Sequence, residues 1–269
     1  TCLTEFFKSH EADVYVVGGF LRDLIVGKPS SDVDLAVAGD VTFLAHKLSD
    51  SVGGTSFILD ADRGNFRVHI PHRLGCIRPE DSVQQIVLSD RDEYSGSQFT
   101  VVDIHEFDGD LMKELSDRDF TVDAMAIKLE YLTEWMLGNQ TEINSSLFGN
   151  VIDPFNGLGD LKLKSLKAVS NRVFINDPVR LIRAVRIAAQ LEFSVERLTR
   201  DLMKVHSSLL SNTASERLRD ELLLVIDSPA PAESLYFMDE LGLLGELIPE
   251  LLLGRGVEQP VEHHWDVFN

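Results

Sequence analysis

Two short stretches of the chain combine residue types suited to handling phosphates. Gly18-Gly19-Phe20-Leu21-Arg22-Asp23 is followed by Ser31-Asp32-Val33-Asp34-Leu35. A double glycine between a strand and a helix lets a ligand approach the backbone, whose free N–H groups can cradle an anion. Arg22 falls one turn into that helix, within reach of the same anion. Asp32 and Asp34 stand two apart on an extended segment, so both carboxylates point to one face. Two such carboxylates are hard oxygen donors with open positions for substrate phosphates, as a pair of Mg2+ ions requires. Taken singly, a Gly-Gly pair reads as a turn and an Asp-x-Asp as a solvated loop. Their order, strand–GG–helix–strand–DxD, favours phosphate chemistry.

Those residues need elements to hold them. Val14-Tyr15-Val16-Val17 is a β-branched and aromatic run that stops at the glycines, which predicts a buried strand meeting a turn. Residues 20–26 suit one or two helical turns, Val33 to Val37 a second short strand, and 41–50 a helix carrying Phe43, Leu44 and Leu48. Further strands are expected at 55–59, 65–70 and 99–104, with weaker signals over 121–130 and 161–170. Arg78 to Gly96 is polar and acidic and reads as a loop. From about residue 175 the pattern changes, and 178–191, 196–210, 214–226, 231–241 and 243–253 show helical periodicity. The predicted organisation is a mixed α/β head over 1–170, a helical neck over 171–235 and the start of a helical body over 236–269.

Composition narrows the function classes. The chain has 269 residues, with 25 basic and 44 acidic side chains and a net charge of -19. Such a body repels nucleic acid in general, so any nucleic-acid site must be a local basic patch. One exists: residues 161–186 carry Lys162, Lys164, Lys167, Arg172, Arg180, Arg183 and Arg186 against the single acid Asp177. No run approaches the roughly 18 apolar residues of a membrane span. Cys2 and Cys76 lie far apart without CxxC pairing, which excludes a zinc-finger framework and a disulfide scaffold. A reducing cytoplasm fits this cysteine usage best. The chain starts at Thr1 and stops after His263-His264-Trp265-Asp266-Val267-Phe268-Asn269, and is expected to be a piece of a longer protein.

The ordered motifs resemble the class II tRNA nucleotidyltransferases and bacterial poly(A) polymerases, within the superfamily of DNA polymerase β. The family's first motif, roughly GGxxRDxxxGxxxxDxD, is matched by residues 18–34, including Gly27. Arg118-Asp119-Phe120-Thr121-Val122-Asp123-Ala124-Met125-Ala126 resembles its RRDFTINAMA, and Asp153 to Leu161 its DPFGGxxDL. Asp177 to Arg186 resembles EDPxRxxRxxR, and Ser215 to Leu222 the helix that follows. Asp117, Asp123 and Asn176 depart from the usual Arg, Asn and Glu, and two added acids are unfavourable near an anionic substrate.

The resemblance implies an α+β fold, a mixed-sheet nucleotidyltransferase head followed by an all-helical neck and body. It implies Mg2+-dependent addition of C and A to the 3′ end of tRNA from CTP and ATP. Poly(A) synthesis, or addition of CC or A alone, is the nearest alternative, and a catalytically silent RNA-binding module a more distant one. Asp32 and Asp34 would hold Mg2+, and Asp103 matches the position of a third carboxylate, though it also reads as a surface charge on an edge strand. Gly18, Gly19 and Arg22 would hold phosphates, and Arg118 and Asp119 would help place the nucleotide. Asp177 and Arg180 would read the base, and Arg183 and Arg186 would support the nucleotide and its phosphates. Asp177-Pro178 equally has the form of a helix N-cap and first turn, and the arginines that of a solvated basic face. His263 to Asp266 resembles the opening of an HD-type hydrolase domain, but a surface tail is the favoured reading.

Overall fold

The computed structural model describes residues 2–28, 30, 32–60, 64–71, 99–138 and 145–257. The expected loop at 78–96, Cys76 and the His263–Asp266 stretch lie outside them. The chain divides into two compact units, Thr1–Arg118 with Val122–Gly157, and Asp119–Thr121 with Leu158–Asn269.

The first unit runs α1 (Cys2–Ser9), β1 (Asp13–Val17), α2 (Gly18–Ile25), β2 (Asp32–Ala38), α3 (Val41–Ser51), β3 (Thr55–Asp60), β4 (Asn65–Pro71) and β5 (Phe99–Phe107). It continues with α4 (Leu111–Ser116), β6 (Ala126–Lys128), α5 (Leu129–Leu137) and α6 (Ser145–Phe148). The strands form one sheet in the order β3-β4-β5-β2-β1-β6. β2 and β5 run parallel and every other neighbouring pair is antiparallel. The mixed sheet expected for the head is therefore present.

The period of two sorts the side chains of this sheet onto two faces. Leu35, Val37, Phe66, Val68, Ile70, Val102 and Ile104 are buried on one face, which also receives Leu44, Ala45 and Leu48 of α3 into the core. The opposite face is divided. Tyr15, Val17, Ala36, Phe107, Leu115 and Ala126 make an apolar cluster there. Asp32, Asp34, Arg67, Asp103 and His105 also lie on that face, because Asp34 pairs in register with Asp103 and Asp103 with Arg67.

The second unit contains α7 (Gly157–Lys162, beginning at the last residue of the first unit), β7 (Ser165–Leu166), α8 (Val173–Asn176), α9 (Arg180–Leu191) and β8 (Ser194–Val195). α10 (Arg197–His206), a 3-10 turn at Ser207–Asn212, α11 (Ser215–Ile226), α12 (Pro231–Glu240), α13 (Leu243–Leu247) and α14 (Pro249–Leu252) follow. α9 shows why the helical reading works: Leu181, Ile182, Ala184, Val185, Ile187, Ala188 and Leu191 bury one side. Two features differ from the all-helical expectation. β7 and β8 pair in parallel through Ser165–Ser194 and Leu166–Val195. The helix expected over 243–253 breaks at Ile248, because Pro249 has no N–H to continue the ladder and instead starts α14.

The composition shift near 170 also falls later than the division at 157/158. Strand β7 explains this, since its partner β8 lies beyond α9, and Phe120 bridges to Ala168. No division falls at 235/236, where α12 packs on α9 and α11. Among the described residues, no helix is long and apolar enough to cross a membrane.

Candidate active site

Gly18 closes one side of the carboxylate face. Its φ is +68°, and a Cβ there would lie 3.1 Å from both Asp34 Oδ2 and Arg118 Nη1. Any other residue would be strained by the backbone and would crowd two functional groups at once. The glycine therefore lets strand β1 turn into α2 directly against Asp34. Burial pushes the Asp34 carboxyl up to about 6; the charges of Arg118 and His105 oppose this, and those of Asp103 and Asp123 add to it. Asp32 stands at the exposed start of β2.

Asp103 lies on an interior strand rather than at a sheet edge, which corrects the surface-charge reading. Both of its oxygens are gripped by Arg67, with Nε 2.7 Å from Oδ1 and Nη2 2.8 Å from Oδ2. This bond is the largest cause of the raised Arg67 pKa. Among the described residues, no three His, Cys, Asp or Glu groups converge as a metal cluster. The Asp32–Asp34 pair nonetheless fits a hard cation: its donors are carboxylates from alternate residues, and a bound cation offsets the penalty that raises Asp34.

Beside this pair sits a cluster that sequence reading missed. His105 Nε2 is 2.9 Å from Glu114 Oε1 and 3.0 Å from Arg118 Nη2. Arg118 also donates through Nη2 to Glu114 Oε1 at 2.7 Å. Burial works to raise the Glu114 pKa, but the His105 bond and the Arg118 charge override it and hold it at about 2. The signals were available: His105 is two residues from Asp103 on one strand, and Glu114 is four residues before Arg118.

Arg22 differs from its expected anion-binding role. It is buried, with Nη1 donating to Asp123 Oδ1 at 2.6 Å and Nε to Asp23 Oδ1 at 2.8 Å. Its Nη2 lies 3.3 Å from where a Gly19 Cβ would be, so Gly19 makes room for this buried arginine. The acidic departure at Asp123 is thus matched inside the fold by Arg22. Asp117 is exposed at the C-cap of α4.

The second unit holds its own ionic framework. Asp119 is buried, accepting from the Phe120 N–H at 3.0 Å and from Arg183 Nη1 at 3.1 Å. Burial alone would raise its pKa, but the charges of Arg183 and Arg180 lower it. Glu221 receives Arg183 Nε on one oxygen at 2.9 Å and Arg186 Nε on the other at 2.7 Å. Arg183 and Arg186 are thus internal counter-ions and not a solvated face, whereas Lys162, Lys164, Lys167 and Arg172 are exposed. Arg118 and Asp119, expected to act together on the nucleotide, belong to different units.

Asp177 is not a side-chain N-cap. Helix α9 begins at Arg180 without a side-chain cap, and the Asp177 carboxylate takes both arms of Arg217, at 3.1 and 2.7 Å. Arg217 lies in the fifth motif, but no local spacing links it to Asp177. The Asp153 motif makes a turn in which the carboxylate accepts from the Gly157 N–H at 2.6 Å, with Asn156 at φ +63° where the family pattern has Gly. Asn is among the few non-glycine residues that tolerate this conformation.

Residues 14–167 match the family described as poly A polymerase head domain, and 192–253 match the probable RNA and SrmB-binding site of polymerase A. The chain belongs to the poly A polymerase head-domain family. Within the family it is 30% identical over 254 residues to an A-adding tRNA nucleotidyltransferase of Geobacter sulfurreducens, covering 94% of this chain and 26% of the relative. It is 28% identical to a CC-adding tRNA nucleotidyltransferase of the same organism, covering 87% of this chain and 45% of the relative. Among solved structures, the Thermotoga maritima CCA-adding enzyme complexed with tRNA matches with a TM-score of 0.68 at 27% identity, covering 95% of this chain and 52% of that one. The chain thus spans a quarter to about half of the length of these relatives.

Proposed function

We propose that this chain carries the catalytic and base-selecting parts of a cytoplasmic, template-independent RNA nucleotidyltransferase. It adds C, A or both to the 3′ end of tRNA from CTP and ATP. The observation that carries this reading is Asp34, a half-buried carboxylate raised to about 6, set beside Asp32 and against the Gly18 turn. Asp32 and Asp34 would hold the metal, with Asp103, held on both oxygens by Arg67, as the third acid of that face. Mg2+ there would supply charge neutralisation to the triphosphate as pyrophosphate leaves.

The remaining groups position the reactants. The RNA 3′-hydroxyl oxygen attacks the α-phosphorus in line; the new P–O bond forms as the α–β anhydride bond breaks and pyrophosphate departs. No covalent enzyme intermediate is needed. The backbone at Gly18-Gly19 admits the triphosphate closely, and Arg118 brings a cation to it. Asp177 accepts from the exocyclic amine that C and A share, while Arg180 donates to the ring edge. Arg217 fixes the Asp177 carboxylate in one orientation.

Poly(A) synthesis is less well supported, because the relatives that span most of this chain act on tRNA by name. The test is incorporation of labelled CTP and ATP on tRNA ending before CCA, on tRNA ending in CC, and on unstructured RNA. The expected outcome is Mg2+-dependent addition to one or both tRNAs and little to the unstructured RNA. Equal use of all three would favour a poly(A) polymerase, and absence of Mg2+-dependent nucleotide binding a silent RNA-binding module.

A further inference from the structure

Three aromatic rings stand in a row across β3, β4 and β5. Phe57 and His69 have ring centroids 5.1 Å apart, and His69 and Phe99 6.0 Å apart. The row lies on the same face as the carboxylates. Phe57 pairs in register with Arg67, Arg67 with Asp103, and Asp103 with Asp34, while His69 and Phe99 are even-numbered steps from Arg67 and Asp103 on their own strands. Phe57 is 49% exposed and Phe99 44%, with His69 half-buried between them. A protein that needed these rings only for its core would bury them, as it buries Phe66 on the other face of the same sheet. Arg67 lies in register between Phe57 and Asp103, and its side chain is more than a third exposed.

We infer that Phe57, His69 and Phe99 form a stacking platform for unpaired bases at the 3′ end of the RNA substrate. This rests on the nucleotidyltransferase reading. Asp103 lies four steps along β5 from Phe99, about 13 Å at strand rise, so the platform meets bases a few nucleotides behind the reacting hydroxyl. Aromatic faces accept any base, because stacking needs no hydrogen-bond pattern. Arg67 adds a cation where the backbone of that strand would pass. An aromatic platform continuous with the metal-binding face suits single-stranded RNA better than a protein edge, which would pair with the backbone of β3 and need no ring faces.

The experiment measures steady-state addition to tRNA lacking its terminal nucleotides by the parent, Phe57→Ala, Phe99→Ala, Phe57→Leu and Phe57→Trp. Stacking contributions predict that each Ala variant raises KM for RNA about five- to fifty-fold, with kcat and KM for the nucleotide unchanged. Phe57→Leu keeps apolar area and should behave like Ala, whereas Phe57→Trp should restore the parent KM. Fluorescence anisotropy with a labelled single-stranded oligonucleotide should follow the same order. Failure of the parent to add nucleotides would instead overturn the function proposed above. If the parent is active, an unchanged RNA KM in both Ala variants overturns the platform. So does Leu rescuing as well as Trp, or the variants losing thermal stability alone. Self-association of the parent that Phe57→Ala abolishes would assign the row to a protein interface instead.

Discussion

Asp34 is a half-buried carboxylate and Asp119 a buried one, and their environments act in opposite directions. Asp119 accepts from Arg183 and the Phe120 N–H, and its pKa is lowered despite its burial. Asp34 feels Arg118 and His105 through space, and burial wins, raising it to about 6. In the helical unit Glu221 has an arginine on each oxygen and Asp177 takes both arms of Arg217. The head saturates Asp103 with Arg67 but leaves Asp34 short of positive charge. A carboxylate kept at such a disadvantage waits for a cation, whereas one matched by arginines is framework.

The largest effect that would sharpen this contrast is at the metal pair. Asp32→Ala or Asp34→Ala should reduce nucleotide addition about a thousand-fold or more, through loss of charge stabilisation in the transition state. Activity within a few-fold of the parent in both variants would remove the assignment. Asp34→Asn should be equally inactive but more thermostable. The sign follows from the raised pKa: between the unfolded value of 3.8 and about 6 the folded state binds the extra proton, so stability falls as pH rises through that window. Asn escapes that loss, worth about 3 kcal/mol at neutral pH for a two-unit shift, and metal-free melting curves at pH 5 and 8 would measure it. A melting temperature below the parent at pH 8 would show that Asp34 is structurally paired after all.

The next effect probes the framework side. Glu221→Gln removes the counter-ion that Arg183 and Arg186 share, leaving Asp119 to Arg183 alone, and should destabilise by about 2–4 kcal/mol, since a half-buried charge loses its partner. An unchanged urea midpoint would break the comparison, making Glu221 as uncommitted as Asp34.

The smallest effect is on base choice. UTP presents a carbonyl where CTP has its amine, directly against a carboxylate acceptor. Asp177→Ala should narrow the CTP-over-UTP preference about ten-fold, within the roughly 1–3 kcal/mol of a good base contact. Arg217→Ala should narrow it less, and Lys at position 180 should not replace Arg180, because one ammonium lacks the planar fork. A CTP/UTP ratio equal to the parent's in Asp177→Ala would reduce Asp177 to a partner of Arg217.

Which parts could be read beforehand follows from how far apart the interacting residues lie in the chain. Val14–Val17, Gly18-Gly19 and Asp32/Asp34 were legible because strand, turn and shared face are all encoded within a few residues. The helices of the second unit were legible through the apolar stripe typified by Leu181, Ala184 and Ala188. Arg67 holding Asp103 is a contact across 36 residues, and Arg22 holding Asp123 one across 101. Only strand register and packing produce such pairs, so Arg22 read as an anion ligand and Asp123 as a liability. Asp177-Pro178 misled differently, since its local pattern is that of a cap whichever way the carboxylate turns. Pro249 was a visible helix breaker whose effect was overlooked within an apolar run.

The peptide bond between Arg118 and Asp119 joins residues of different units, and the chain returns to the first unit at Val122. Three residues are therefore stitched out of one unit and into the other, with Phe120 fully buried and bridged to Ala168, and Thr121 bonded to Asp160 at 2.7 Å. A stitch of this kind makes the head inseparable by a single cut: residues 1–157 alone would keep Asp119, Phe120 and Thr121 while losing Arg183, Ala168 and Asp160, with which they interact. Exchanging the head for another would therefore mean exchanging this internal tripeptide together with the residues that hold it.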